Sequence, residues 1–167
     1  LLAQALFELH DWKTAAEELE QLPATTELHR EWRRLFLLAK LEFHSGNPKA
    51  ALLATASVAD LARHTGQTNQ LAQVHRFRFI IYEAANDVPA ALRECLRLQA
   101  ETMPEVHRQE GFLRALRLQL RRDQFTETIR VLDELRKLNS ATNFAGTLDC
   151  LGGELEWLNY RRGDKGA

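Results

Sequence analysis

The residues with the chemical means to act on a substrate are few, and their spacing is wrong for it. Six histidines, His10, His29, His44, His64, His75 and His107, are scattered singly. None falls in an H-E-x-x-H run, where two imidazoles one helical turn apart would hold zinc. Most stand near expected helix ends, where exposed or capping roles are anticipated. The two cysteines, Cys95 and Cys150, match neither zinc-ligand spacing nor a disulfide framework. They read as small core residues of a protein in a reducing, cytoplasmic setting. Cys95 with a distant histidine could be imagined as nucleophile and base, yet it falls on the small-residue face of a helix, which packing explains. No Gly-rich phosphate loop, G-x-S-x-G elbow or evident carboxylate pair occurs. The expectation is a non-enzyme without metal or cofactor.

Side chains suited to recognition are more plentiful. Arg114, Arg117 and Arg121 lie at offsets that share one helical face, and Arg76 and Arg78 stand upstream. They fit either a solvated face or a patch for an acidic peptide or RNA. Trp12 and Trp32 read as core. Trp157 and Tyr160, three residues apart beside Arg161 and Arg162, fit either an inter-repeat face or an aromatic anchor for a partner. Net charge is −1, from 22 basic and 23 acidic side chains. That balance argues against nucleic acid, whose binders usually carry a basic surplus to neutralise phosphates. No stretch approaches the roughly 18 apolar residues of a membrane span.

The elements that must position these residues are helices. With 8 Gly and 4 Pro in 167 residues, the chain is dominated by strong helix formers. Four small residues recur, Ala15, Ala51, Ala91 and Thr128, spaced by 36, 40 and 37. Four and seven residues after them stand Leu19 and Leu22, Thr55 and Val58, Cys95 and Leu98, and Leu132 and Leu135. Offsets of this kind trace one helical face. Three residues before each small position come Trp12, Pro48, Val88 and Phe125, preceded by Asp11, Asn47, Asp87 and Gln124 (with Asp123 adjacent). Asp and Asn cap helix starts by accepting from the first unpaired N–H groups, and proline suits the first helical position.

Between these starts lies room for a second helix. Residues 28–45, 67–85 and 105–122 are amphipathic, and 141–162 reads as a last helix weakened by Gly152-Gly153. Breaks are expected near Pro23, Gly66, Thr102-Pro104 and Asn139-Ser140. The spacing predicts an all-α chain of about nine helices in antiparallel pairs. The repeats run approximately 1–23, 24–66, 67–102, 103–139 and 140–167, the last incomplete. A fifth mark at Gly163-Asp164 and an opening Leu suggest a piece of a longer protein.

Two-helix repeats with a turn, a cap, an aromatic residue and a small residue three places on resemble the tetratricopeptide family. The residues that carry the likeness are His10-Asp11-Trp12 to Ala15, Gly46-Asn47-Pro48 to Ala51, Asn86-Asp87-Val88 to Ala91, and Asp123-Gln124-Phe125 to Thr128. Ala3, Ala39 and Ala115 fit the family's small position in the first helix of each pair, and Phe79 departs from it. The period exceeds the family's usual one. The extended run from Ala51 to Gly66 looks like the longer repeats of MalT-type bacterial regulators.

The resemblance implies a right-handed α-solenoid whose first helices line a concave groove. It places Arg33, Phe36, Lys40, Phe43 and His44 there from the second repeat, and Gln73, Arg76, Ile80 and Glu83 from the third. Phe112, Leu116 and Gln119 follow from the fourth. A helical or extended peptide with some acidic residues would suit such a surface. A clamp for a peptide's C-terminal carboxylate is not expected, because the required Lys/Asn pair one turn apart is missing. The function expected is therefore a protein-binding scaffold within a larger bacterial signalling or transcription regulator. Alternatives are a self-associating structural module, whose open ends stack on copies of itself, and a secretion-chaperone-like peptide binder.

Overall fold

The computed structural model describes residues 2–122 and 124–138 together with Gly153. Eight α-helices run through them: α1 (Leu2–Glu8), α2 (Trp12–Glu20), α3 (Leu28–His44), α4 (Pro48–His64), α5 (Thr68–Ala84), α6 (Val88–Gln99), α7 (Glu105–Arg121) and α8 (Phe125–Leu138). No strand occurs among the described residues. The expected helix over 141–162, Cys150, Trp157, Tyr160 and the mark at Gly163-Asp164 lie outside them. The chain forms two compact units, one spanning Leu1–Ala91 and a second beginning at Leu92, so the division falls within α6.

Each of the four marks read from the sequence is a helix start. Trp12, Pro48, Val88 and Phe125 are the first residues of α2, α4, α6 and α8. Asp11 accepts from the Thr14 N–H at 3.3 Å, and Asp87 accepts from the Ala90 N–H at 3.1 Å. These satisfy helix-end donors that would otherwise lack partners. Asn47 differs from the expectation. It makes no side-chain cap bond, and its amide instead donates to Glu42 at 3.3 Å. Pro48, which has no N–H, removes one of the unpaired donors of the helix start.

The preceding helix ends in the same motion. His10 (φ 63), Gly46 (φ 83) and Asn86 (φ 56) adopt the left-handed conformation. Their N–H groups donate to the carbonyls of Phe7, Phe43 and Glu83. The next residue in each case, Asp11, Asn47 or Asp87, donates to the carbonyl of Leu6, Glu42 or Tyr82. This is the Schellman closure of a helix, here with its final residue doubling as the N-cap of the following helix. Gly66 and Gln67 repeat the same closure between α4 and α5, with Gly66 at φ 66.

The small positions are where helices meet. Ala15, Ala51, Ala91 and Thr128 are essentially fully buried, as are Leu19, Thr55, Val58, Cys95 and Leu98 after them. Leu22 is a correction: expected on the buried face, it is 48% exposed. α2 stops at Glu20, and Pro23 disfavours helical geometry at the residue before it. Ala3, Ala39 and Ala115 are buried, and so is the bulkier Phe79.

Within the first unit α3 is shared between two apolar clusters. Leu37 and Leu41 pack with Ala3, Ala15 and Leu19 of α1 and α2. Trp32, Phe36 and Ala39 pack with residues of α4 and α5, among them Val58, Ala62, Phe77 and Ile81. A helix with apolar residues on two faces cannot satisfy both with one neighbour, which is the physical basis of stacking in repeat folds. Thr55 is the polar member of the α4 face. Its hydroxyl donates to the Leu52 carbonyl at 2.6 Å and accepts from Arg78 Nε at 2.7 Å.

In the second unit Gly111 on α7 permits a close approach to α6. A Cβ there would stand 2.8 Å from Leu98 Cβ and 2.9 Å from the Cys95 carbonyl oxygen. Buried polar side chains are frequent in this region: Glu94, His107, Gln109 and Gln119. Glu94 pairs with Arg97, and Gln109 donates to Glu105 at 2.9 Å. One histidine expected in an exposed or capping role at a helix end is corrected, and a mid-helix one is buried as well. His75, in the middle of α5, and His107, in the first turn of α7, are both buried.

Candidate partner-binding surface

The candidate surface is built on α1, α3 and α5, the first helices of their pairs. Counting back from each N-cap gives the register. Arg33, Phe36, Lys40 and Phe43 of α3 correspond to Gln73, Arg76, Ile80 and Glu83 of α5, and Phe7 of α1 corresponds to Phe43. α3 and α5 lie side by side. Phe77 meets Phe36 and Phe43 edge-on, with ring centroids 5.7 and 5.8 Å apart. At the opposite end of the pair, Gln70 Nε2 and His29 Nδ1 are 3.1 Å apart.

The predicted residues divide by exposure. Arg33, His44, Gln73 and Ile80 (42%) face outward, and Lys40, Phe43, Arg76 and Glu83 are half-buried. Phe36 is 7% exposed and belongs to the core, stacked on Trp32 at 4.8 Å. Leu116 and Gln119 of α7 are also buried, and Phe112 is half-buried. Arg114 is half-buried and pairs with Glu110 at 2.9 Å, whereas Arg117 and Arg121 are exposed.

Lys40 has the most distinctive surroundings. Its Nζ stands over the Phe36 ring at 4.8 Å and over the Phe7 ring at 5.8 Å, so the ammonium is shared between α1 and α3. Each such contact is worth about 0.5–2 kcal/mol. Burial holds the Lys40 pKa below the ordinary lysine value, with Glu8 acting in the other direction. The rings therefore do not replace all the solvation the ammonium has lost. Glu8 itself accepts from Gln4 at 2.7 Å.

One turn further along α3, His44 sits among three aromatic side chains. It lies 4.6 Å from Trp12 in a tilted stack, 5.2 Å from Phe7 and 5.7 Å from Phe43. Burial, followed by the nearby His10 and Lys40, lowers its pKa. Sequence reasoning does not reach Trp12 and Phe7 as members of this surface, nor Phe77 as a buried ring beneath it. Phe7 was within reach, because it stands four residues before its cap just as Phe43 does. Trp12 had a visible role as helix starter, and nothing in the spacing indicated its contact with a histidine on α3.

Among the described residues, no group of three or more His, Cys, Asp or Glu side chains is placed to hold a metal ion. No helix among them is long and apolar enough to cross a membrane.

A scan against protein-family models finds no match, and neither does a search of the curated proteins. Solved structures do match. A kinesin-light-chain-type protein of Podosopora anserina with nearly identical TPR-like repeats, in a singly substituted form, aligns over 98% of this chain and 84% of its own, at 17% identity and a TM-score of 0.66. A second structure of that protein aligns over 98% and 85%, at 16% identity and a TM-score of 0.65. At such identities the likeness is one of fold, and the fold of this chain is an all-α, TPR-like solenoid.

Proposed function

We propose that this chain is a protein-interaction module that takes a peptide or a partner helix along the outward face of its first helices. The observation that carries the reading is the register shared by α1, α3 and α5. Within it Phe7 of α1 and Phe36 of α3 each stand against the Lys40 ammonium, and Phe43 meets Phe77 of α5. The result is one surface of rings, cations and amides. Aromatic side chains and arginine are enriched where proteins meet. Arg33, Lys40, Phe43, His44, Gln73, Arg76, Ile80 and Glu83 would line it, with Phe36 as its floor.

The proposal includes a setting: the regulatory part of a larger bacterial signalling or transcription regulator. It rests on the extended repeats, for α3, α4, α5 and α7 are each 17 residues long. Capture of partners by the wild-type chain and by a variant with Arg33, Lys40 and Arg76 changed to Glu tests the surface. Loss of the captured partner with an unchanged thermal melt is expected. Equal recovery would remove this face from the function.

A further inference from the structure

The cations of the first unit are not equally engaged. Arg30, Arg34 and Arg63 each pair with a carboxylate one turn earlier on the same helix, namely Glu27, Glu31 and Asp60. Lys40 makes no hydrogen bond or ion pair among the described residues. Glu8 acts on it only through space, and its carboxylate accepts from the side-chain amide of Gln4. The ammonium is half-buried between α1 and α3, with Phe36 and Phe7 covering it from two sides. A partly desolvated charge that makes no direct ion pair gains more from an incoming anion than a fully hydrated one does.

We propose that Lys40 is the specificity-determining cation of this surface, taking a side-chain carboxylate of an acidic peptide while Phe7 and Phe43 pack against the apolar groups beside that carboxylate. The inference rests on the proposed peptide-binding role and adds the chemistry of the ligand. Several features of the site support it. Burial already disfavours the free ammonium, and a carboxylate at hydrogen-bonding distance would restore what the rings do not supply. Arg33 lies two helical turns away on the same face of α3, about 10 Å along the axis. It makes no hydrogen bond or ion pair among the described residues, so it offers a second, weaker anchor of the same sign.

The test uses the full 167-residue chain, immobilised, and three pools of capped, C-terminally amidated nonapeptides. The pools carry Asp/Glu, Asn/Gln or Lys/Arg at a central position among otherwise randomised residues. The wild-type chain is expected to retain the Asp/Glu pool about tenfold over the Asn/Gln pool, the scale of one charge-assisted hydrogen bond. Lys40→Met, which keeps the aliphatic packing, is expected to bring that ratio to near one with an unchanged melting curve, and Lys40→Arg to keep most of it. A preference that survives Lys40→Met but disappears when Arg33 and Arg76 are changed to Glu would overturn the role of Lys40 and leave the peptide-binding face standing. Retention of none of the pools would overturn both. Preference for the same pools with a free C-terminus over the amidated ones would overturn the side-chain assignment.

Discussion

The α3–α5 region and the α6–α7 region close their helix packing in opposite ways. Between α3 and α5 the space is filled with rings: Trp32, Phe36, Phe43 and Phe77 contact one another at 4.8–5.8 Å. Between α6 and α7 the backbones themselves come close, with Gly111 against Leu98 and the carbonyl of Cys95. The ring-filled region keeps its polar groups mostly outward. The close-packed one holds Glu94, His107, Gln109 and Gln119 inside. Large side chains create both a dense core and, at their exposed edges, an aromatic surface. Small ones create proximity but no such surface. The same repeat pattern thus yields a ring-lined face in one place and a close-packed joint in the other.

Removing a ring should show this most strongly. Phe77→Ala empties the space between Phe36 and Phe43, and a loss of about 3–5 kcal/mol is expected by chemical denaturation. Comparable stability to wild type would mean that the rings are not the filler of this region. Adding to the joint should cost less. Gly111→Ala sets a Cβ within 3 Å of two atoms of α6, and overpacking of this kind costs about 1–3 kcal/mol. If Gly111→Ala proves stabilising, the close approach is softer than its geometry implies.

Turns give a smaller effect that is independent of either core. A Cβ added at Gly46 would meet nothing within 4 Å, so Gly46→Ala loses only the conformational term, about 1–2 kcal/mol at φ 83. His10→Gly relieves the corresponding strain and should gain less than that, since glycine also loosens the unfolded chain. A thermal-melt series of both variants checks the pair of signs. The smallest effect is on pH. The folded state holds the His44 pKa below its ordinary value, so it binds fewer protons than the unfolded chain. The stability this contributes is full above about pH 6.5 and is lost as the pH falls below it. Because His44 is largely exposed, the loss should be slight, and it should vanish in His44→Gln. An acid dependence that is unchanged in that variant would place its origin elsewhere.

Much of the fold was legible because its signals are local. The starts at Trp12, Pro48, Val88 and Phe125 follow from caps, proline and periodicity within a few residues. The ends of α3, α5 and α7 fall within a residue of the expected 45, 85 and 122. Leu22 escaped because a helix stop imposed by Pro23 outweighed an apolar face. His75 and His107 escaped because burial of a histidine depends on what packs over it, which spacing does not record. The candidate surface was partly legible: a register carried Arg33, Lys40, Gln73 and Arg76 to one face, yet it gave Phe36 as a groove residue without showing that it is also core.

The sequence by itself determined which segments are helical, where each pair turns, and which small residues must lie at helix contacts. Those features depend on hydrogen bonds and steric limits between near neighbours in the chain. Only the tertiary structure decided that Phe7 of α1 and Phe36 of α3 would both cover the Lys40 ammonium, and that Trp12 would stack on His44. Contacts between helices depend on how side-chain volumes fit across an interface. That fit is a property of the pair and cannot be read from either helix alone.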